Sequence, residues 1–399
     1  MKLKVHTQIL FAIVLGIITG ILLGDKAIHI KIVGDLFIRL LKAIIIPLIL
    51  ASMVAGIVSL GDVRKLGRIG LKTFIYYLVT TTLAVGVGLI LVNLMRPGVD
   101  INMVEETTDV LSNREVPSVI SIIKDIIPAN IFDAMANDKV LSIIFFSLLL
   151  GVAISSIGEK GKPLVTLFEA FNTVMMKITD WIMHLAPFGV FALMAYTIGT
   201  MGLSVIKPLI AYMATVILGL VIHACITLPL LLRTFGKYSP VKFIKDVFSA
   251  VATAFSTASS AATLPITMEC LQENTGVSNK VTSFVLPLGA TVNMDGTALY
   301  EAVAAMFIAQ AYGIELGIGQ QLVIMLTATL ASIGAAAIPG AGLVTMVIVL
   351  RAVNLPLEGI GMILAVDRIL DMLRTAVNVW GDSCGTAIIA RLEGEQLKT

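Results

Sequence analysis

Apolar residues run along most of this chain in blocks long enough to cross a bilayer, with polar positions between the blocks rather than inside them. A helix needs roughly 20 apolar residues to span the hydrocarbon layer. The pattern predicts such helices at about 8–24, 36–60, 72–95, 139–157, 163–195 and 205–233. The first block is long for a signal core and has no convincing cleavage site, so it is expected to be a membrane helix. Beyond Gly236 the pattern breaks up. Residues 246–273 are two apolar halves around Ser256-Thr257-Ala258-Ser259-Ser260, each too short to span. A re-entrant hairpin fits them, because irregular backbone at membrane depth survives only under protein or in a watery cavity. A full span at 281–312 carries Asn293-Met294-Asp295-Gly296-Thr297 in its middle and predicts a broken helix, loosened at Gly296. The pattern then repeats. Residues 318–354 are two apolar arms around Ser332–Gly342, and 357–390 form a last span bearing Asp367, Asp371, Arg374, Thr375, Asn378 and Asp382. Paired interrupted segments of this kind point to a transporter's midplane site.

Composition sharpens this picture. Of 399 residues, 57% are hydrophobic and 14% charged, against roughly 25% charged in ordinary globular domains, and mean hydropathy is +0.98. That excludes a cytosolic enzyme, a disordered chain and a secreted disulfide scaffold, and leaves an all-α polytopic protein of the lipid bilayer. A net charge of +2 gives no pull toward nucleic acid. Cys225, Cys270 and Cys384 lie far apart in apolar surroundings and read as packing residues. Basic residues mark the turns at 64–72, 160–162 and 233–245, whereas the loop at 99–138 is acidic, so both termini are expected in the cytoplasm.

Candidate chemistry concentrates on the last span. Counted from Asp371, its polar residues fall at −4, +3, +4, +7 and +11. At about 100° per residue they share one third of the helix circumference. This stripe reads as three carboxylates and one guanidinium, Arg374, which prefers bidentate carboxylate partners. It is either an internal ion pair holding helices together or a site awaiting cations and a ligand. Asn293 and Asp295 offer hard oxygens suited to small cations, or else a locally satisfied cap. Ser259 and Ser260 are weak evidence alone, since Ser is common at membrane helix contacts. His6, His29, His184 and His223 read as surface or packing residues, and Trp181 and Trp380 as interfacial or core aromatics. Tyr77 with Thr80 and Thr81 makes a short stripe that, alone, reads as core.

The runs SSAATLP (259–265), NMDGTALYE (293–301), SIGAAAIPGAG (332–342) and DRILDMLRTAVNVWGDS (367–383) resemble the dicarboxylate/amino acid:cation symporter family, across essentially the whole chain. The resemblance implies eight transmembrane helices plus two re-entrant helical hairpins in inverted repeats, working as an elevator-type homotrimer in the cell membrane. It implies scaffold helices in 1–71 and 96–204, with the acidic loop in the latter. The transport domain is then 72–95 and 205–399, with hairpin 1 at 240–275, the seventh span at 281–312, hairpin 2 at 318–354 and the eighth at 357–390. By the same resemblance Asp371, helped by Thr375, takes a substrate amino group, and Arg374 clamps a side-chain carboxylate approached by Thr297. Asn378 and Ser259–Ser260 hold the α-carboxylate, and Ile338 and Gly342 close over the substrate. Three sodium sites are implied: Gly289, Asn293, Asn378 and Asp382; Thr291 with backbone of Ser332, Ile333 and Ala335; and Tyr77, Thr80, Thr81, Asn293 and Asp295.

The expected activity is therefore symport of L-aspartate or L-glutamate with sodium. Proton coupling and C4-dicarboxylate transport on the same fold are the alternatives. Met294 and Asp382 favour sodium, because proton-coupled members tend to carry Leu and Asn there. Archaeal relatives carry Arg where this chain has Ala258, and animal relatives carry Arg where it has Met372, so neither familiar second basic position is filled here. An intramembrane aspartyl protease would need a Gly-x-Gly-Asp pattern that is missing at Gly381-Asp382. Two hairpins around one polar stripe also fit alternating access better than a continuous ion pore.

Overall fold

The computed structural model describes residues 5–59, 67–99, 101, 126–137, 139–332 and 341–398, and among these residues there is helix and no strand. Helices α1 (Val5–Leu23), α2 (Lys31–Ser59) and α3 (Gly67–Met95) match the first three apolar blocks. The short α4 (Ile131–Ala136) is capped by Asn130, whose side chain accepts from Phe132 and Asp133 backbone N–H groups. The next helix is α5 (Val140–Ser156). The predicted span at 163–195 is two helices, α6 (Lys162–His184) and α7 (Ala186–Met201), bent by 48° where they meet. Pro187 sits in the first turn of α7, where its missing N–H has no helical partner to lose.

Helices α1, α2 and α5–α7 pack on one another. The closest approach is α1 on α7. A Cβ on Gly16 would stand 2.8 Å from the Phe191 carbonyl, and one on Gly20 2.7 Å from that of Ala195. Two glycines four residues apart thus let the backbones touch, the usual device where lipid offers no hydrophobic drive to associate. The outer face of α1 keeps Phe11, Leu15, Ile18 and Leu22 exposed. Among the described residues three helical stretches are each long and apolar enough to cross a membrane, and up to five if each bent pair counts as one. The chain is a multi-pass membrane protein.

The remaining elements gather around α16 (Ile360–Leu392). Helix α8 begins at Ile206–Ile222 and runs on through two π-helical turns, His223–Thr227 and Leu232–Gly236. Then come α9 (Pro240–Asp246), α10 (Phe248–Thr257) and α11 (Ser260–Glu269), of which α10 and α11 form the first predicted hairpin. Its turn is Ala258, held in the left-handed region at φ 51°. Ser259 then starts α11 by accepting the Ala262 N–H on its hydroxyl.

The broken helix is α12 (Asn279–Val292) followed by α13 (Asp295–Ala311). The break falls at Asn293–Met294, not at Gly296, which lies inside α13. Gly296 instead lets α13 cross α16 closely, since a Cβ there would meet the Arg374 carbonyl at 2.8 Å. The second hairpin has arms α14 (Ile318–Ser332) and α15 (Ala341–Ala352), packed on each other and on α13. Its tip, with Ile333, Ala335 and Ile338, lies outside the described residues.

Both arms of the second hairpin touch α5, and α15 also touches α2. Lys42 on α2 pairs with Glu358, just before α16, at 3.5 Å. The first hairpin leaves Ser256, Thr257, Ala261 and Ala262 at its tip exposed. At the opposite end the tail folds back over the bundle. Lys72 donates to Glu393 at 2.6 Å, Glu395 accepts from Ser278, and the Lys398 N–H donates to the Thr275 carbonyl.

Candidate functional site

The polar face of α16 divides into two clusters about two turns apart. The first surrounds Arg374, whose side chain is 1% exposed. Its Nη2 donates to Asp371 Oδ1 at 2.8 Å, and its Nη1 lies 3.2 Å from Asp367 Oδ1. Asp367 also accepts from the Tyr300 hydroxyl at 2.8 Å, and the guanidinium stacks 3.8 Å from the centre of the Tyr300 ring. A flat cation gains from both kinds of partner. A Cβ on Gly342 would stand 3.0 Å from the guanidinium, so the start of α15 lies directly on it. Arg374 Nε and Nη1 make no hydrogen bond among the described residues. These are unspent donors on a buried cation, and a ligand carboxylate would satisfy them.

The structure adds a second guanidinium to this cluster. Arg368 Nη1 lies 3.5 Å from Asp371 Oδ2, with 17% of its side chain exposed. Glu301 is a further carboxyl without a role in the sequence pattern. It is fully buried and accepts from the Thr345 hydroxyl on α15, while its Oε2 has no partner among the described residues.

The second cluster sits at the helix break. Asp295 Oδ1 accepts from Thr81 at 2.7 Å and Thr80 at 3.2 Å. Asp382 Oδ1 accepts from Asn293 Nδ2 at 2.9 Å. The Tyr77 hydroxyl donates to the Val285 carbonyl, next to Gly289, where any Cβ would collide with Asp382 and that same hydroxyl. Asn378 bridges toward the first cluster, accepting from the Gly296 N–H at 2.8 Å and donating to Thr297 at 3.3 Å. Tyr77, Thr80, Thr81, Asn293, Asp295, Asn378 and Asp382 are all buried. Among the described residues no lysine or arginine pairs with Asp295 or Asp382.

His223 corrects its reading as a packing residue. Its Nε2 lies 3.0 Å from Asp295 Oδ2, with both side chains fully buried, and its Nδ1 has no partner among the described residues. It opens a π-helical turn in α8, a distortion that often marks a functional position. In the same turn the Ala224 carbonyl accepts from the Trp380 indole at 3.0 Å, which places Trp380 in the core. A cavity about the size of one water molecule, lined by Tyr77, Thr81, Val292 and Thr329 among others, adjoins this cluster. The Thr329 hydroxyl is unpartnered among the described residues.

Not every expected residue arrives. The Thr291 hydroxyl bonds the Pro287 and Leu288 carbonyls of its own helix, and the residue is exposed. Ser332, expected through its backbone, is buried, and its hydroxyl donates to the Thr329 carbonyl. Thr375 likewise donates to the Asp371 carbonyl at 2.8 Å. Ser259 caps α11 and Ser260 is buried beside it.

Buried polar clusters where the last helix meets a broken helix, inside an apolar helical bundle, suit a membrane transporter. The sequence profile of the sodium:dicarboxylate symporter family matches residues 5–392, and the chain belongs to that family. It is 40% identical to a proton/sodium-glutamate symport protein of Geobacillus stearothermophilus, over 99% of this chain and 96% of that one. It is 39% identical to excitatory amino acid transporter 3 of Homo sapiens, over 97% of this chain and 85% of the human one. These relatives are transporters, and the chain is a symport protein rather than an enzyme.

Proposed function

We propose that the protein couples inward sodium flow to uptake of an acidic amino acid, L-aspartate or L-glutamate. The observation that carries this reading is the pairing of a buried, incompletely satisfied Arg374 and the adjacent Asp371 with an oxygen-rich cluster two turns away that has no lysine or arginine among the described residues. Arg374 takes the side-chain carboxylate, Asp371 the ammonium, and Asn378, Thr297, Thr375 and Ser259–Ser260 the α-carboxylate and its surroundings. The tip of the second hairpin, with Ile338 and Gly342, closes over the substrate. Sodium ions occupy the oxygens around Tyr77, Thr80, Thr81, Gly289, Asn293, Asp295, Asn378 and Asp382. A further ion lies at Thr291 with the backbone of Ser332, Ile333 and Ala335. The donor set fits a hard monovalent cation, being oxygen throughout and rich in carboxylate. Asp295 and Asp382 repel each other in a low-dielectric interior, so a bound cation relieves the repulsion and promotes substrate binding.

In this reading eight helices cross the membrane and the two hairpins re-enter it, with both termini cytoplasmic. The scaffold, 1–71 and 96–204, trimerises, while 72–95 and 205–399 slide as an elevator. The packing of the second hairpin on α2 and α5, with the first hairpin's tip exposed, supports an inward-facing state. The test is uptake of radiolabelled L-aspartate into liposomes holding the purified protein. Uptake that needs an inward sodium gradient supports the reading, and uptake driven by protons alone removes sodium from the mechanism.

Glu301 favours a second reading, in which a proton travels as well as sodium or instead of it. A buried carboxyl with one bare oxygen is a natural proton carrier. If it is one, Glu301→Gln abolishes proton-driven uptake and spares sodium-dependent substrate binding.

A further inference from the structure

Asp371 faces two guanidiniums that differ in kind. Arg374 is sealed between Tyr300, Asp367 and Gly342, and it holds Oδ1 at 2.8 Å. Arg368 stands one turn earlier on the same helix, partly exposed, and reaches Oδ2 at 3.5 Å. A pair of that length is a loose contact beside the 2.8 Å bond from Arg374. It is also poorly ordered for helix support, since an acid preceding the base is the favourable sequence on a helix and here the base comes first. Oδ2 belongs to the carboxylate that, in the function proposed above, receives the substrate ammonium. Arg368 therefore occupies the place that an amino group has to take.

We propose that Arg368 is a specificity-determining residue that sets how strongly the site prefers aminated over non-aminated dicarboxylates. This rests on the assignment of Asp371 as the ammonium acceptor. With Arg368 in place, Asp367, Arg368, Asp371 and Arg374 carry two negative and two positive charges. A dicarboxylate without an amino group then meets a neutralised Asp371, while an ammonium must first displace a cation. Without Arg368 the group carries one excess negative charge beside the ammonium position. Aminated substrates meet less competing positive charge at Asp371, and non-aminated ones lose a compensating cation.

The test is a titration of the purified full-length protein, in saturating sodium, with L-aspartate and with succinate. The readout is the ratio of the succinate Kd to the aspartate Kd in wild type, Arg368→Gln and Arg368→Lys. The glutamine variant is expected to raise the ratio roughly three- to tenfold, the scale of one partly screened charge, while lysine keeps it near wild type. A merely structural pair would weaken both ligands together and leave the ratio alone. Arg368→Met, which keeps the aliphatic stem, supplies the same readout if the glutamine protein does not fold. An unchanged or lower ratio without the charge overturns the proposal, as does a lysine variant that behaves like glutamine. A wild type that binds no acidic amino acid in sodium or at low pH instead overturns the functional reading beneath it.

Discussion

The two polar clusters on α16 share a helix face and differ in how their charge is balanced. Around Arg374 both aspartates have a base. Asp367 and Asp371 face Arg374 and Arg368, and Tyr300 completes the ring. Around Asp382 and Asp295 the partners are Asn293, Thr80, Thr81 and His223, none of them a permanent cation. The first cluster is complete in charge and incomplete in hydrogen bonds, so it suits a ligand that brings both signs, as a zwitterionic amino acid does. The second has its hydrogen bonds and lacks positive charge, so it suits a bare cation. One helix thus presents two sites whose occupants are chemically different, and Asn378 with Thr297 joins them.

The comparison breaks most sharply at Arg374. Arg374→Ala should abolish binding of acidic substrates and, by stranding Asp367 and Asp371, destabilise the fold by about 3–5 kcal/mol. Calorimetric binding and thermal unfolding in detergent read both effects. If acidic substrates still bind, the first cluster is not their site.

Next in size is the cation cluster. Asp382→Asn or Asp295→Asn should cut apparent sodium affinity by roughly tenfold or more, the weight of one buried charge partner. In saturating sodium, substrate affinity should recover in part. A variant that loses substrate binding with an unchanged sodium dependence would merge the two clusters into one. His223→Ala should be milder, about 1–3 kcal/mol of stability for an exposed oxygen on buried Asp295. It should show as a lower melting temperature in sodium-free buffer, narrowed when sodium is added. A drop that sodium does not narrow would make His223 a packing residue after all.

The smallest effect lies outside the membrane-spanning segments. The hydrogen bond from Lys72 holds the Glu393 carboxyl below the usual glutamate range, helped by the charges of Lys72, Arg68 and Lys280. A lowered value means that the tail's contribution to stability is full above about pH 4.5 and fades as the pH falls further through it. Glu393→Gln should remove that acid dependence and leave both clusters unchanged, because exposed pairs contribute little. Unfolding measured between pH 6 and pH 3 in the two proteins reads the difference.

Much of this was legible in the sequence. Short apolar arms around Ser/Thr/Gly centres marked the two helix pairs that pack on each other, and the spacing from Asp367 to Asp382 placed a polar stripe on one face of the last helix. The run Asn293–Thr297 marked the helix break, but Gly296, read there as loosening the helix, instead packs against the Arg374 carbonyl, because a glycine inside a helix can equally mark close packing. His223 stayed hidden because it sits in an apolar run 72 residues from its partner Asp295. No local spacing reports such a contact. Arg368 stands three residues before Asp371, a spacing that predicts the pair, at the edge of the stripe where Arg374 alone was counted. Thr291 had its place only through resemblance, and its hydroxyl turns to its own helix. The bend between α6 and α7 was masked by hydropathy that continues through it.

The central claim is that the two clusters are thermodynamically linked, the cation site sharpening the substrate site. The most direct test is the Kd of L-aspartate for the purified protein, measured by calorimetry over a series of sodium concentrations at constant ionic strength. The account predicts a Kd that falls steadily as sodium rises, with sodium affinity raised by the same factor when aspartate is present. An aspartate Kd that does not change with sodium would contradict it.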